Sequence, residues 1–208
     1  MTIGMSMIRL ISVRLAVLIL CLCFQVNIVS ANIDGEVITL QTVMQLLAKK
    51  QYTQVKFIEH KSSALLAEVI QIEGVLNFKP PAYLLKRVLK PYHETFELKQ
   101  GIIYYVKGNE SVRKLDIEQY PVLNSFVSAY TALLGGQLEQ LKRDYRVVFD
   151  GRKYAWRIQL FPRATTMQAY ISEIRFNGVG DTVVSIVLIE ADGDTTTTRL
   201  SSEQEVRD

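Results

Sequence analysis

Beyond an apolar leader, hydrophobic and polar positions along the chain fall into two rhythms. Leu40, Val43, Met44 and Leu47 recur at spacings of three and four, which places them on one face of a helix. Thr39 stands where a capping hydroxyl is wanted, and Lys49 and Lys50 follow the last apolar residue, where cations complement the helix dipole. The spacing predicts a helix over 39–50. The period then becomes two. Leu66, Ile70, Ile72, Leu76 and Phe78 share one parity while Gln71, Glu73 and Asn77 take the other, as in a long, half-solvated antiparallel strand. Lys79-Pro80-Pro81-Ala82 turns the chain, and alternating segments follow at 83–89, 92–99, 102–107 and 111–116, separated by Pro91, Gly101 and Gly108-Asn109. A meander of hairpins is the simple reading.

The rhythm breaks between Glu118 and Arg143. Pro121 suits a first helical position, Val122, Phe126, Val127, Tyr130, Leu133 and Leu134 make a broad apolar stripe, and Gly135-Gly136 ends the run. A second short helix is predicted over 137–142. Strands resume at 144–149 and 153–161, joined by an Asp150-Gly151 turn, and continue at 170–177, 182–190 and 195–200. The expectation is an α+β fold: about ten strands in one antiparallel sheet, a leading helix and a helical insertion in mid-sheet.

The leader changes the picture of compartment. Arg9 and Arg14 precede ten residues of LAVLILCLCF, Leu15 to Phe24, and Val29-Ser30-Ala31 supplies small residues for a signal peptidase. Ten apolar residues fall short of the ~20 that span a bilayer, so cleavage before Asn32 is favoured over a retained anchor. Cys21 follows Ile19 and Leu20, where a lipoprotein signal wants small residues. The predicted organisation is a signal peptide at 1–31 and one domain at 32–208, exported to the periplasm. Both cysteines lie in the leader, which removes disulfides, thiolate catalysis and cysteine-held metal from the domain. The net charge of +3 loses two arginines with the leader, leaving no electrostatic case for nucleic acid.

Candidate chemistry is sparse. His60 and His93 fall in alternating segments, and neither belongs to a nucleophile elbow or a zinc-binding pair. Glu190-Ala191-Asp192-Gly193-Asp194 looks like a calcium loop but lacks the later ligands, so a solvated turn is the better account. Asn109-Glu110-Ser111 marks an exposed hairpin. No catalytic residue, metal site or cofactor is predicted, and a hydrolase would need a nucleophile and base that no motif supplies. Lys86 and Arg87 are adjacent in a strand, so one of them faces the apolar side or lies at its rim. The apolar sheet and apolar helical insertion fit an ordinary core, and equally a space that acyl chains fill.

The order of elements resembles the LolA-type outer-membrane lipoprotein carriers, in their divergent LolA-related branch. The likeness runs from the helix at 39–50 through VKFIEHKSSALLAE, IEGVLNFKPPAYLLKRVLKP and ETFELKQGIIYY to DYRVVFDGRKYAWRIQLFPR and VVSIVLIEADGDTTTTRL. It implies a strongly curved sheet forming an unclosed β-barrel, with helices as a lid on its concave face. It also implies a monomeric periplasmic shuttle for a lipid or acylated cargo, passing between an inner-membrane donor and an outer-membrane acceptor protein. The alternative is a sensor or regulatory binding module on the same fold. The implied cavity wall comprises Ile70, Ile72, Leu76, Phe78, Leu84, Val88 and Phe96, and the lid comprises Val122, Phe126, Val127, Tyr130, Leu133 and Leu134. Where the main branch has an Arg-Pro pair this chain has Pro80-Pro81, which points away from lipoproteins and toward an anionic lipid or acylated pigment. Lys86 falls on the concave side by this likeness. Its ammonium there needs either a lipid headgroup or an internal carboxylate, for which Glu94 and Glu97 are the neighbours.

Overall fold

The computed structural model describes residues 37–50, 53–63, 69–79 and 83–202; the leader, Leu66 and the Pro80-Pro81 turn lie outside them. Helix α1 (Leu40–Ala48) begins with Thr39 Oγ1 accepting from the Thr42 amide at 3.1 Å and buries Val43, Met44 and Leu47. Lys50, expected to serve the helix dipole, instead reaches away to Asp181 at 3.4 Å and Thr182 at 2.9 Å.

The strands are β1 (Thr53–Ser62), β2 (Ile70–Lys79), β3 (Tyr83–Lys90), β4 (Glu94–Lys99), β5 (Ile102–Lys107), β6 (Arg113–Asp116), β7 (Tyr145–Arg152), β8 (Ala155–Pro162), β9 (Ile171–Val179), β10 (Thr182–Glu190) and β11 (Thr195–Ser201). A 3₁₀ turn (Ile117–Gln119), α2 (Pro121–Leu134) and α3 (Leu138–Asp144) separate β6 from β7, and α4 (Thr165–Gln168) separates β8 from β9. All eleven strands join one antiparallel sheet in the order β6-β5-β4-β3-β2-β1-β11-β10-β9-β8-β7. The sheet is thus two meanders sewn together by the β1–β11 pair, where Phe57 faces Leu200 and Glu59 faces Thr198. β6 and β7 are consecutive strands at opposite open edges, so the segment 117–144 must cross from one edge to the other.

It crosses over the concave face. Val127, Ala129, Tyr130, Ala132 and Leu133 of α2 are buried, and most of them pack into one core with Phe57, Phe78, Ile158, Leu160 and Phe176 from the sheet. A smaller cluster of Leu98, Ile103, Ile117 and Val127 lies under the first half of α2, against the β4–β6 wing. Register shifts at Glu73/Gly74, Val183/Ser185 and Ile189/Glu190 sharpen the curl. The fold is the predicted unclosed, curled antiparallel sheet with a helical lid.

Three details depart from the sequence reading. The described residues form eleven strands because β1 is one in its own right; its alternation is disguised by Glu59, which takes an inner position after Val55 and Phe57, while Ile58 faces outward, 42% exposed. His93 lies in the bend before β4 rather than in a strand. The β7–β8 turn falls at Lys153-Tyr154 and not at Asp150-Gly151. Gly151 stays in the strand because it sits opposite Trp156, whose Cα and Cβ leave no room for a side chain there, while the indole ring packs on Gly178 and its Nε1 donates to the Gly180 carbonyl at 2.9 Å. A methyl group on Gly178 overlaps the Trp156 ring. Gly178→Ala is therefore expected to cost about 1–3 kcal/mol, read as a lowered urea midpoint; an unchanged midpoint would show that the indole yields.

Candidate functional site beneath the helical lid

Residues directly opposite in an antiparallel pair share a face, so the strand registers define the lining of the concave side. One row runs Phe78, Leu84, Leu98, Ile103 and Leu115 across β2 to β6, and it is wholly apolar. The adjacent row, Leu76, Lys86, Phe96 and Tyr105, is interrupted by a cation. On the other meander Ile186 faces Phe176, which faces Ile158.

Helix α2 lies on this surface through aromatic contacts. Tyr130 meets Phe78 edge-on at 5.9 Å, approaches Phe176 at 6.2 Å and stacks on Phe126 at 6.5 Å. Burial pushes the Tyr130 phenol well above its ordinary value, so it remains a neutral hydroxyl. The aromatic contact separates two open spaces. A cavity of about 730 Å³ is walled by Leu47, Phe78, Tyr130, Leu134, Val183 and Leu200. A second, of about 540 Å³, lies beneath Leu123 and Phe126, with Ile186 and Leu188 opposite. At the β7 edge the Tyr145 hydroxyl donates to the Ser125 carbonyl at 2.8 Å and lies 2.6 Å from the Ser125 hydroxyl, tying α2 down.

The second cavity has a polar end. Lys86 Nζ donates to Glu59 Oε2 at 2.7 Å, and the Thr198 hydroxyl donates to the same oxygen at 3.0 Å. The lysine stem runs along the face so that its ammonium stands 4.9 Å over the Phe57 ring. Glu59 is only 4% exposed, and Lys61 approaches its other oxygen, Oε1, no closer than 3.8 Å. The carboxylate that neutralises Lys86 is thus Glu59 and neither of those expected. Glu97 has the opposite parity and pairs with Lys99 at 3.6 Å, while Glu94 accepts from the Tyr105 hydroxyl at 2.9 Å. With an internal partner in place, Lys86 has no unpaired charge to offer an anionic headgroup.

The remaining sequence-derived positions divide between core and cavity. Phe78 walls the larger space and Lys86 the smaller. Ile72, Leu76 and Val88 are buried in the core, Leu84 packs against both clusters, and Phe96 lies against the Tyr105 ring at 4.7 Å. Ile70, at the start of β2, is 39% exposed. Of the lid stripe, Phe126 faces the smaller cavity, Tyr130 and Leu134 face the larger, and Val127 and Leu133 are buried. Val122 lies in α2, its side chain outside the described residues. Sequence reasoning missed Glu59, although the parity of Val55 and Phe57 marks it as inward, and it missed the Tyr145–Ser125 tie, which no local pattern encodes.

The other candidates sit apart from these spaces. His60 pairs with Gln71 at 3.2 Å on the outer side of β1. The 190–194 segment is a tight turn in which Asp192 accepts from the Asp194 amide at 3.1 Å. Among the described residues no three His, Asp or Glu side chains gather as a metal site, and no helix is long and apolar enough to cross a membrane.

Comparison with known proteins gives one sequence-level match. Residues 33–205 match the family described as outer membrane lipoprotein carrier protein LolA-like. No curated protein matches the chain. Among solved structures, it is similar to a LolA superfamily protein from Nitrosomonas europaea at 9% identity, covering 79% of this chain and 92% of that one, with a TM-score of 0.44. It is also similar to a DUF1329 family protein from Desulfovibrio piger, at 11% identity over 78% of this chain and 88% of that one, with a TM-score of 0.42. A third similarity is to the MucA/MucB complex structure from Pseudomonas aeruginosa, at 14% identity and a TM-score of 0.45, covering 78% of this chain and 56% of that one.

Proposed function

The chain belongs to the LolA-like outer membrane lipoprotein carrier family, and on that footing we propose that it is a periplasmic carrier that takes up acyl chains beneath α2 and shuttles them between membranes. The observation that carries the reading is the seating of α2: a 14-residue helix without a charged side chain, laid across the concave face with a cavity on each side of its aromatic contact. Both spaces have the size of sites for small apolar ligands. A chain of about fourteen carbons gains about 11 kcal/mol on leaving water, enough to displace the half-buried Phe126 and fill the space behind it. The exchange needs no bond-making step. Among the described side chains of residues 121–126 of α2 none is fully buried, whereas 127, 129, 130, 132 and 133 are buried, so the lid opens from its N-terminal half over the smaller cavity.

The donor is an inner-membrane protein and the acceptor an outer-membrane one, and export depends on the leader. The test is fluorescent fatty-acid loading of the purified protein, joined to mass spectrometry of lipid that copurifies from periplasm. Saturable loading at about one chain per protein, displaced by the copurified lipid, is the expected result. Absence of both loading and copurifying lipid would overturn the carrier reading. Loading without transfer between donor and acceptor vesicles would reduce it to a sensor.

A further inference from the structure

One polar atom in the smaller cavity has no account in the folded chain. Glu59 is nine-tenths buried, forms part of the cavity wall, and spends Oε2 on both Lys86 and Thr198. Its Oε1 is buried and without a hydrogen bond. The Lys61 ammonium at 3.8 Å is too far to donate, and its side chain is half-exposed. A buried carboxylate oxygen left unsatisfied is costly, so a site built this way calls for a donor from outside the chain. The surroundings select the sign of that donor. Glu190 lines the same cavity. Burial, and then the carboxylates of Asp192 and Asp194, raise the Glu190 carboxyl above its ordinary range against the opposing pull of Lys61. Of the two lysines in the wall, Lys86 is already neutralised.

We propose that the smaller cavity is a headgroup subsite for an amphiphile bearing a primary ammonium, whose N–H donates to Glu59 Oε1 while its acyl chain passes beneath Phe126. The inference rests on the acyl-carrier reading and refines it. Lys61 moves outward as the ligand enters, its ammonium following whatever phosphate the headgroup carries. Leu123, Phe126, Ile186 and Leu188 enclose the first carbons of the chain. The order of polarity, with Glu59, Lys61, Lys86, Glu190 and the β11 threonines at one end and Leu123 and Phe126 of α2 at the other, fits one orientation of such a ligand. A quaternary ammonium has the charge but no N–H for Glu59 Oε1, and an anionic headgroup brings its net negative charge beside the Glu190 carboxyl.

The test is calorimetric titration of the full mature chain with lysophosphatidylethanolamine, lysophosphatidylcholine and lysophosphatidylglycerol of one acyl length. The ethanolamine lipid is expected to bind roughly tenfold more tightly than the choline lipid, the difference carried by one charge-assisted hydrogen bond. The glycerol lipid is expected to bind no better than the choline lipid. Glu59→Gln should erase the preference for ethanolamine, the ethanolamine and choline lipids then binding the variant within about twofold of each other. Should that variant fold poorly because Lys86 loses its partner, Glu59→Gln combined with Lys86→Met removes both charges and makes the same comparison. Equal binding of the ethanolamine and choline lipids, or tightest binding of the glycerol lipid, overturns the subsite while leaving the carrier reading intact. Failure of all three to bind removes both.

Discussion

Lys86→Met is expected to lower the stability of the protein by about 3–5 kcal/mol, seen as a large fall in the urea midpoint at unchanged slope. The cause is the carboxylate left behind. Glu59 is 4% exposed and held by the Lys86 ammonium at 2.7 Å; without it the carboxylate keeps the Thr198 hydrogen bond at 3.0 Å and the more distant Lys61 ammonium at 3.8 Å. Methionine restores most of the volume of the lysine stem over Phe57, so the loss measures charge and not packing. Adding Glu59→Gln to Lys86→Met should recover much of the loss, because replacing both members of a buried pair costs less than stranding one. If Lys86→Met alone unfolds within about 1 kcal/mol of the wild type, the pair is an ornament of the closed lid and Glu59 is reached by water.

Phe126→Glu acts on the other side of the same cavity. Phe126 is half-buried, stacks on Tyr130 at 6.5 Å, and faces the smaller cavity from the uncharged helix α2. A carboxylate there stands in the path of any acyl chain and must be desolvated when the chain enters. Loading of a fluorescent fatty acid should fall at least roughly tenfold, while stability should change by only about 1–2 kcal/mol. The two effects separate because the first half of α2 carries little of the main core, which is built from its second half, α1 and the sheet. Equal loading of the variant and the wild type would place the acyl path elsewhere, in the larger cavity walled by Phe78 and Tyr130.

Much of the fold was legible because its signals are local. Period-two patterning marked ten of the eleven strands, and the change to helical spacing between Glu118 and Arg143, opened by Pro121 and closed by Gly135-Gly136, located the lid helix closely. Where a signal depended on a distant partner it failed. Asp150-Gly151 has the composition of a turn, yet the strand runs through it because Trp156, across the hairpin, needs a residue without a side chain opposite.

The site follows the same division. The family resemblance implied the curl and placed Lys86 on the inner side; the sequence by itself determined an antiparallel sheet, an apolar helical insertion and one inward side chain at Lys86 or Arg87. These are consequences of side-chain parity and backbone propensity, which each short segment carries alone. Only the tertiary structure decided what Lys86 does there. The partner, Glu59, lies 27 residues earlier on another strand, brought near by the β1–β2 and β2–β3 registers together, and Thr198 of β11 joins them from 139 residues away. The division of the concave space into two cavities by Phe126, Tyr130, Phe78 and Phe176 is likewise a product of packing. The shape left between side chains is set by how three elements meet, and no one of them encodes it.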